Sequence, residues 1–94
     1  MRTKDDIDYS RIPDHMRDGM RLWVEEGVPP GDFLRAVLSN DLMGAFSSAD
    51  HINQQCMLDY AMFLYNEAPR GCFGSSEACA DWADHRGLLG EPAK

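Results

Sequence analysis

Between Arg35 and Arg70 the chain contains no lysine or arginine, although Asp41, Asp50, Asp59 and Glu67 fall within that stretch. A surface of this sign repels phosphate backbones, because affinity for nucleic acid comes largely from Lys and Arg displacing counterions. Direct binding of DNA or RNA is therefore disfavoured. Long apolar runs are missing too: none approaches the roughly 20 residues a membrane-spanning helix needs. The opening Met1-Arg2-Thr3-Lys4-Asp5-Asp6 lacks the apolar segment of a secretory signal, so no membrane association and a cytoplasmic location are expected. Cysteine is scarce, with Cys56, Cys72 and Cys79 forming an odd set without a CxxC pair. That pattern excludes a disulfide-built scaffold and points to free thiols in a reducing compartment. There is no alternating strand pattern of useful length, no internal repeat and no low-complexity stretch.

What is present suits one small globular domain. Ninety-four residues with 44% hydrophobic and 27% charged side chains allow a single continuous core and no second one. The net charge of −7 is uneven, since the first 21 residues are balanced and the middle of the chain is acidic. Asp41, Asp50, Asp59 and Glu67 are thus the expected acidic face, suited to steer the chain toward a basic protein surface.

Helical signals follow one another along the chain. Residues 1–8 are polar and read as a loose arm, and 90–94 as a frayed tail, leaving 9–89 as the domain. Pro13, with Asp14 and Asp18 after it, opens a helix over 13–26 whose apolar stripe is Met16, Met20, Trp23 and Val24, and Gly27 stops it. After the stiff Val28-Pro29-Pro30-Gly31 link, Asp32 begins a second helix with Phe33, Leu34, Val37 and Leu38 on one face. A short third helix is expected with Leu42, Ala45 and Phe46 inward, weakened by Gly44. Ser47 to Asp50 carries capping residues for the longest helix, about 49–67, whose apolar row is Ile52, Cys56, Tyr60, Phe63 and Leu64. Met57, Leu58, Ala61 and Met62 widen that row enough to suggest a central position or a covering second chain. Ser75 or Ser76 caps a last helix with Trp82 inward and His85 and Arg86 at its end, after which Leu88 and Leu89 fold back. The predicted fold is all-α, a compact bundle of four to five helices.

Catalytic chemistry has no anchor in this pattern. His15, His51 and His85 fall on three different predicted helices without a second ligand at metal spacing, so no metal or cofactor is expected. No base is identifiable beside any cysteine, and Glu25-Glu26 and Asp5-Asp6 are adjacent pairs that point apart. Cys56 reads as core, whereas Cys72, in a glycine-flanked loop, is the thiol expected to be accessible. The segment from Tyr65 to Ser76 is the most suggestive. Backbone N–H groups of Gly71, Gly74, Ser75 and Ser76 with Arg70 would suit a phosphate or carboxylate, and Phe73 or Tyr65 could stack on a ring. The alternative is an ordinary helix-to-helix turn with Phe73 tucked inward.

Several phrases resemble a family of small uncharacterised proteins of tailed bacteriophages and prophages. They are Ser10-Arg11-Ile12-Pro13 with Met16-Arg17, Gly27 to Leu34, Ala36 to Leu42, Leu64 to Pro69 and Gly71 to Ser75, spanning roughly residues 9 to 89. The resemblance carries no established activity and implies only a setting, an accessory gene acting in a bacterial host. The expectation is a non-enzymatic counter-defence factor that docks its acidic face on a basic surface of a host protein and inhibits it. Two other classes stay open: a sponge for an anionic signalling nucleotide at Arg70 to Ser76, and a self-assembling phage component, a homo-oligomer built on the wide apolar helix.

Overall fold

The computed structural model of the protein describes residues 7–90. Among them are six α-helices and no strand: α1 (Asp14–Glu26), α2 (Asp32–Leu38), α3 (Leu42–Ser48), α4 (His51–Gln55), α5 (Met57–Asn66) and α6 (Ser76–Asp84). Short 3-10 turns, Arg70–Cys72 and Gly87–Gly90, flank α6. The architecture is the expected all-helical bundle. The arm expected over 1–8 and the tail over 90–94 lie mostly outside the described residues, but their inner ends do not behave as loose chain. Ile7 is buried in the core, and Gly90 belongs to the final 3-10 turn.

Helix α1 buries Met20, Trp23 and Val24 and ends at Gly27, whose left-handed backbone (φ 69°) lets the N–H groups of Gly27 and Val28 reach the carbonyls of Trp23 and Leu22. Glycine is needed here for two reasons. A side chain at positive φ is strained, and a Cβ would lie 2.7 Å from the Gly87 nitrogen. Gly87, also at positive φ, approaches the Gly27 nitrogen just as closely. The end of α1 and the turn after α6 therefore cross backbone against backbone.

Trp23 and Trp82 hold the crossing from inside. The Trp82 indole N–H donates to the Trp23 carbonyl at 2.9 Å, and the Trp23 indole N–H donates to the Cys72 carbonyl at 2.9 Å. Both bonds are buried, so each satisfies a donor that would otherwise be stranded without water.

Residues 7–12 form a strap between α1 and α5. Ile7, Tyr9 and Ile12 are buried, and the Tyr9 ring lies 5.3 Å from that of Phe63. The strap's carbonyls turn toward Arg17, which donates to those of Tyr9, Ser10 and Ile12 at 3.2, 3.3 and 2.9 Å. Its hydrophobic residues are separated by polar ones; only Ile7 and Asp8 fall within the arm expected over 1–8, while Tyr9 to Ile12 fall in the expected domain.

The expected long helix over 49–67 is two helices. At Cys56 the backbone (φ −106°, ψ 15°) leaves the helical region and its N–H reaches back only three residues, to Asn53. The tighter turn rotates one piece against the other. As a result Ile52, expected in the apolar row, is 52% exposed, and Asn53 is buried instead. Burial of Asn53 is tolerated because its Oδ1 accepts from the Tyr60 hydroxyl at 2.7 Å. The longest helix is α1. In α3, only Ala45 of the three residues expected inward is buried, while Leu42 and Phe46 face solvent. Gly44 is explained by the Asp41 carboxylate, which accepts its N–H and lies where a Cβ would be.

Two substitutions test the strap and the crossing. Ile12→Ala removes a side chain with no exposed surface and is expected to lower the unfolding free energy by about 2–5 kcal/mol in urea titrations. Gly87→Ala is expected to cost more than about 1 kcal/mol through strain and backbone collision. Leu58→Ala, at a 72% exposed site, is the control and should change stability by less than about 0.5 kcal/mol.

Candidate functional site

Two clefts open on the surface. The first, about 430 Å³, lies between the α2–α3 hairpin and α5. Its walls are apolar: Val37, Leu42 and Ala45 on one side, Met57, Ala61, Leu64 and Tyr65 on the other, with Phe73 and Gly74 at one end. Ala36, Ala45, Ala61 and Gly74 are too small to close the space. The floor is fixed by the Gly74 N–H, which donates to the Leu38 carbonyl at 2.7 Å, and by Tyr60, whose ring packs edge-on to Phe33. Two of the lining side chains are large and left in water, Leu42 and Tyr65, the latter 86% exposed. Met57, Ala61 and Leu64 recur at four- and three-residue spacing and form one row on α5 that lines the cleft.

The second cleft, about 460 Å³, is more polar and lies where α2, α3 and α6 meet behind Pro29 and Pro30. Asp32, Arg35, Asp41, Ser48 and Ser76 line it, with Cys79 to one side. Asp41 borders both clefts.

The residues singled out between Tyr65 and Ser76 divide between these places. Tyr65, Phe73 and Gly74 line the first cleft, and Ser76 lines the second. Arg70 and Gly71 line neither; Arg70 is exposed, and Gly71 packs its backbone beside the Trp82 ring. Ser75 caps α6, its hydroxyl accepting the Ala78 N–H at 3.0 Å. With the Gly74 N–H directed to Leu38, one donor of the loop and one of its hydroxyl oxygens serve the fold. Phe73 is half-buried against the core, as expected of a helix-to-helix turn.

The four acids of the expected partner face are each engaged within the chain. Asp41 caps α3, and Asp50 caps α4 by accepting the Asn53 N–H at 2.7 Å. Asp50 also meets His15 at 3.0 Å, Asp59 meets Arg11 at 3.3 Å, and Glu67 accepts the Asp8 N–H at 3.1 Å. As the chain advances from 8 to 15, its partners retreat from 67 to 50, so the N-terminal segment lies antiparallel along α4 and α5. The backbone N–H of Asn53 and the neighbouring His15 hold the Asp50 carboxyl below the usual range. Sequence reasoning missed these pairings because they join residues at least 35 positions apart.

Among the described residues no group of three or more His, Cys, Asp and Glu side chains is placed to hold a metal ion. Cys72, expected to be accessible, has no exposed surface, because the 3-10 turn carrying it is drawn inward by the Trp23 indole. Burial, with Cys79 close by, pushes its thiol up to about 12. Cys79 is also raised by burial, with Arg35 opposing.

Those shifts set a pH dependence. An unfolded chain releases the Cys72 proton near the ordinary 9.0 and the folded one near about 12, so between these values the unfolded state binds fewer protons. Stability should therefore be intact below pH 9.0 and fall as pH rises toward about 12, with buried Tyr9 and Tyr60 steepening the loss because burial raises both. Urea titrations across this window should show a shallower decline for Cys72→Ala. In peptide-mapped alkylation of the native protein, Cys72 should be the last of the three thiols to react.

No family model matches the chain, and no curated protein or solved structure is similar enough to match it.

Proposed function

We propose that this protein is a non-enzymatic binding factor that docks on a basic region of a host protein and blocks it, with the first cleft as the contact surface. One observation carries the reading: an apolar cleft of about 430 Å³ carries on its walls two large side chains left mostly in water, Leu42 and Tyr65. Exposed Leu or Tyr residues scattered singly need no explanation, but a contiguous patch around a concavity is how partner-binding surfaces are built. Tyrosine at the rim adds a rigid contact with a polar tip, the type of residue that concentrates binding energy at interfaces. Met57 supplies adaptable apolar surface in the cleft wall.

The acids support this reading differently from a simple acidic face. Three of the four are matched by the chain's own N-terminal segment, and Asp41 is the carboxylate at the cleft itself. The net charge of −7 still speeds encounter with a basic partner, while the apolar walls hold it. The resemblance to small phage proteins supplies the setting, a phage accessory protein acting against a host factor.

The reading is tested by immobilising the wild-type chain, a Leu42→Ala/Tyr65→Ala variant and a Leu22→Ala control in host lysate. A host protein retained in stoichiometric amount by wild type and control but lost with the cleft variant is expected. The purified partner should then bind saturably, weakened at least about tenfold by the cleft variant. Retention that ignores the cleft substitutions would overturn the assignment.

A further inference from the structure

The cleft is built from helices, and this limits what can fill it. No sheet edge is offered among the described residues, so a partner cannot be held by strand addition through its main chain. Recognition must run through side chains, and a groove between two helices accepts the apolar row of a third. The row Met57, Ala61 and Leu64 on α5, with Tyr65 beside it, lines the cleft opposite Val37 and Leu42 at the spacing such a helix presents.

The charge around the groove is of one sign. No Lys, Arg or His is among its lining residues, and Asp41 is its single ionisable carboxylate. A second, independent feature is the C-terminus of α5. Pro69 has no N–H to offer the Tyr65 carbonyl, and the Ala68 N–H goes to Phe63 rather than Leu64. No basic residue sits in the last turn of α5, so the negative end of its dipole is left uncompensated beside Tyr65.

We infer that the occupant of this cleft is an amphipathic helix of the partner, with apolar anchors at i, i+3 or i+4, and i+7 and with Lys or Arg flanking them to meet Asp41 and the α5 carbonyl end. This rests on the docking reading above and narrows it to one kind of partner segment.

The test measures fluorescence anisotropy of labelled synthetic peptides of about 16 residues, long enough to be marginally helical alone. One carries the apolar row with lysine flanks, a second scrambles its order, and a third replaces the lysines with glutamates. The full-length protein should bind the first at least about tenfold more tightly than either of the others. Tyr65→Ala, at a solvent-exposed site, should abolish most of that preference without altering the thermal melt. Asp41→Asn, which keeps a capping side chain for α3, should weaken the lysine peptide about two- to fivefold and flatten its salt dependence. Equal binding of ordered and scrambled peptides overturns the helix, and equal binding of lysine and glutamate versions overturns the basic flank. Sedimentation showing a dimer broken by Tyr65→Ala also overturns the proposal, because the occupant would then be a second copy. Failure with peptides alongside Tyr65-dependent capture of a host protein removes this inference alone, whereas loss of both removes the docking reading as well.

Discussion

The Trp82 indole bonded to the Trp23 carbonyl, and the Trp23 indole bonded to Cys72, fix the relative positions of α1, α6 and the loop between α5 and α6. Hydrophobic contact alone would leave these pieces free to slide, because burial of area is nearly indifferent to small displacements. A buried N–H is not indifferent, since it must meet an acceptor within narrow limits or lose its hydrogen bond without water to replace it. The glycine pair at 27 and 87 is the counterpart of this constraint outside the core. Trp82 can reach Trp23 only if α6 approaches the end of α1 closely, and that approach leaves no room for a Cβ on either backbone. Placement of the loop in turn sets the Gly74 N–H on the Leu38 carbonyl and so forms one end of the apolar cleft.

Charge in this molecule is spent first on the fold's own register. His15, Arg11 and the Asp8 N–H meet Asp50, Asp59 and Glu67 in reverse order along α4 and α5. Each contact is exposed and individually weak, on the order of 1 kcal/mol or less. Their common direction matters more, since a register shift of the strap would mismatch all three together while moving Ile7, Tyr9 and Ile12 out of their sites. Arg17 contributes differently, with a fixed fork of donors that gathers three strap carbonyls.

Local signals were legible wherever one residue decides one feature. Gly27 marks the end of α1, Ser75 caps α6 and Trp82 turns inward, each as its type and position imply, whereas the cap expected from the Ser47 and Ser48 hydroxyls is made by Asp50, both serines belonging to α3. The break at Cys56 was not legible, because Ile52, Cys56, Tyr60 and Phe63 fit one helical period. What rotates the faces is a three-residue hydrogen bond together with the long-sought partner of Asn53, the Tyr60 hydroxyl. The strap was hidden by its polar neighbours, and the burial of Cys72 by the fact that its anchor, Trp23, lies 49 positions earlier. In the candidate site, Tyr65, Phe73 and Gly74 were visible as a suggestive loop. The opposing wall from α2 and α3 was not, since small residues such as Ala36 and Ala45 carry no chemical signal until a fold places them opposite one another.

Those small residues are what makes the cleft a property of the fold rather than a packing defect. A larger side chain at position 36, 45 or 61 would fill the gap between the hairpin and α5 and bury Leu42 and Tyr65 with it, adding the hydrophobic stabilisation that burial brings. A chain of this size has only a modest fraction of its surface to bury, so leaving such area in water is a substantial sacrifice. The rest of the molecule offsets it with a densely made interior: a strap inserted between α1 and α5, two indoles bonded in series, and a buried Asn satisfied by a tyrosine. Stability is thus concentrated on one side of α5 and withheld from the other.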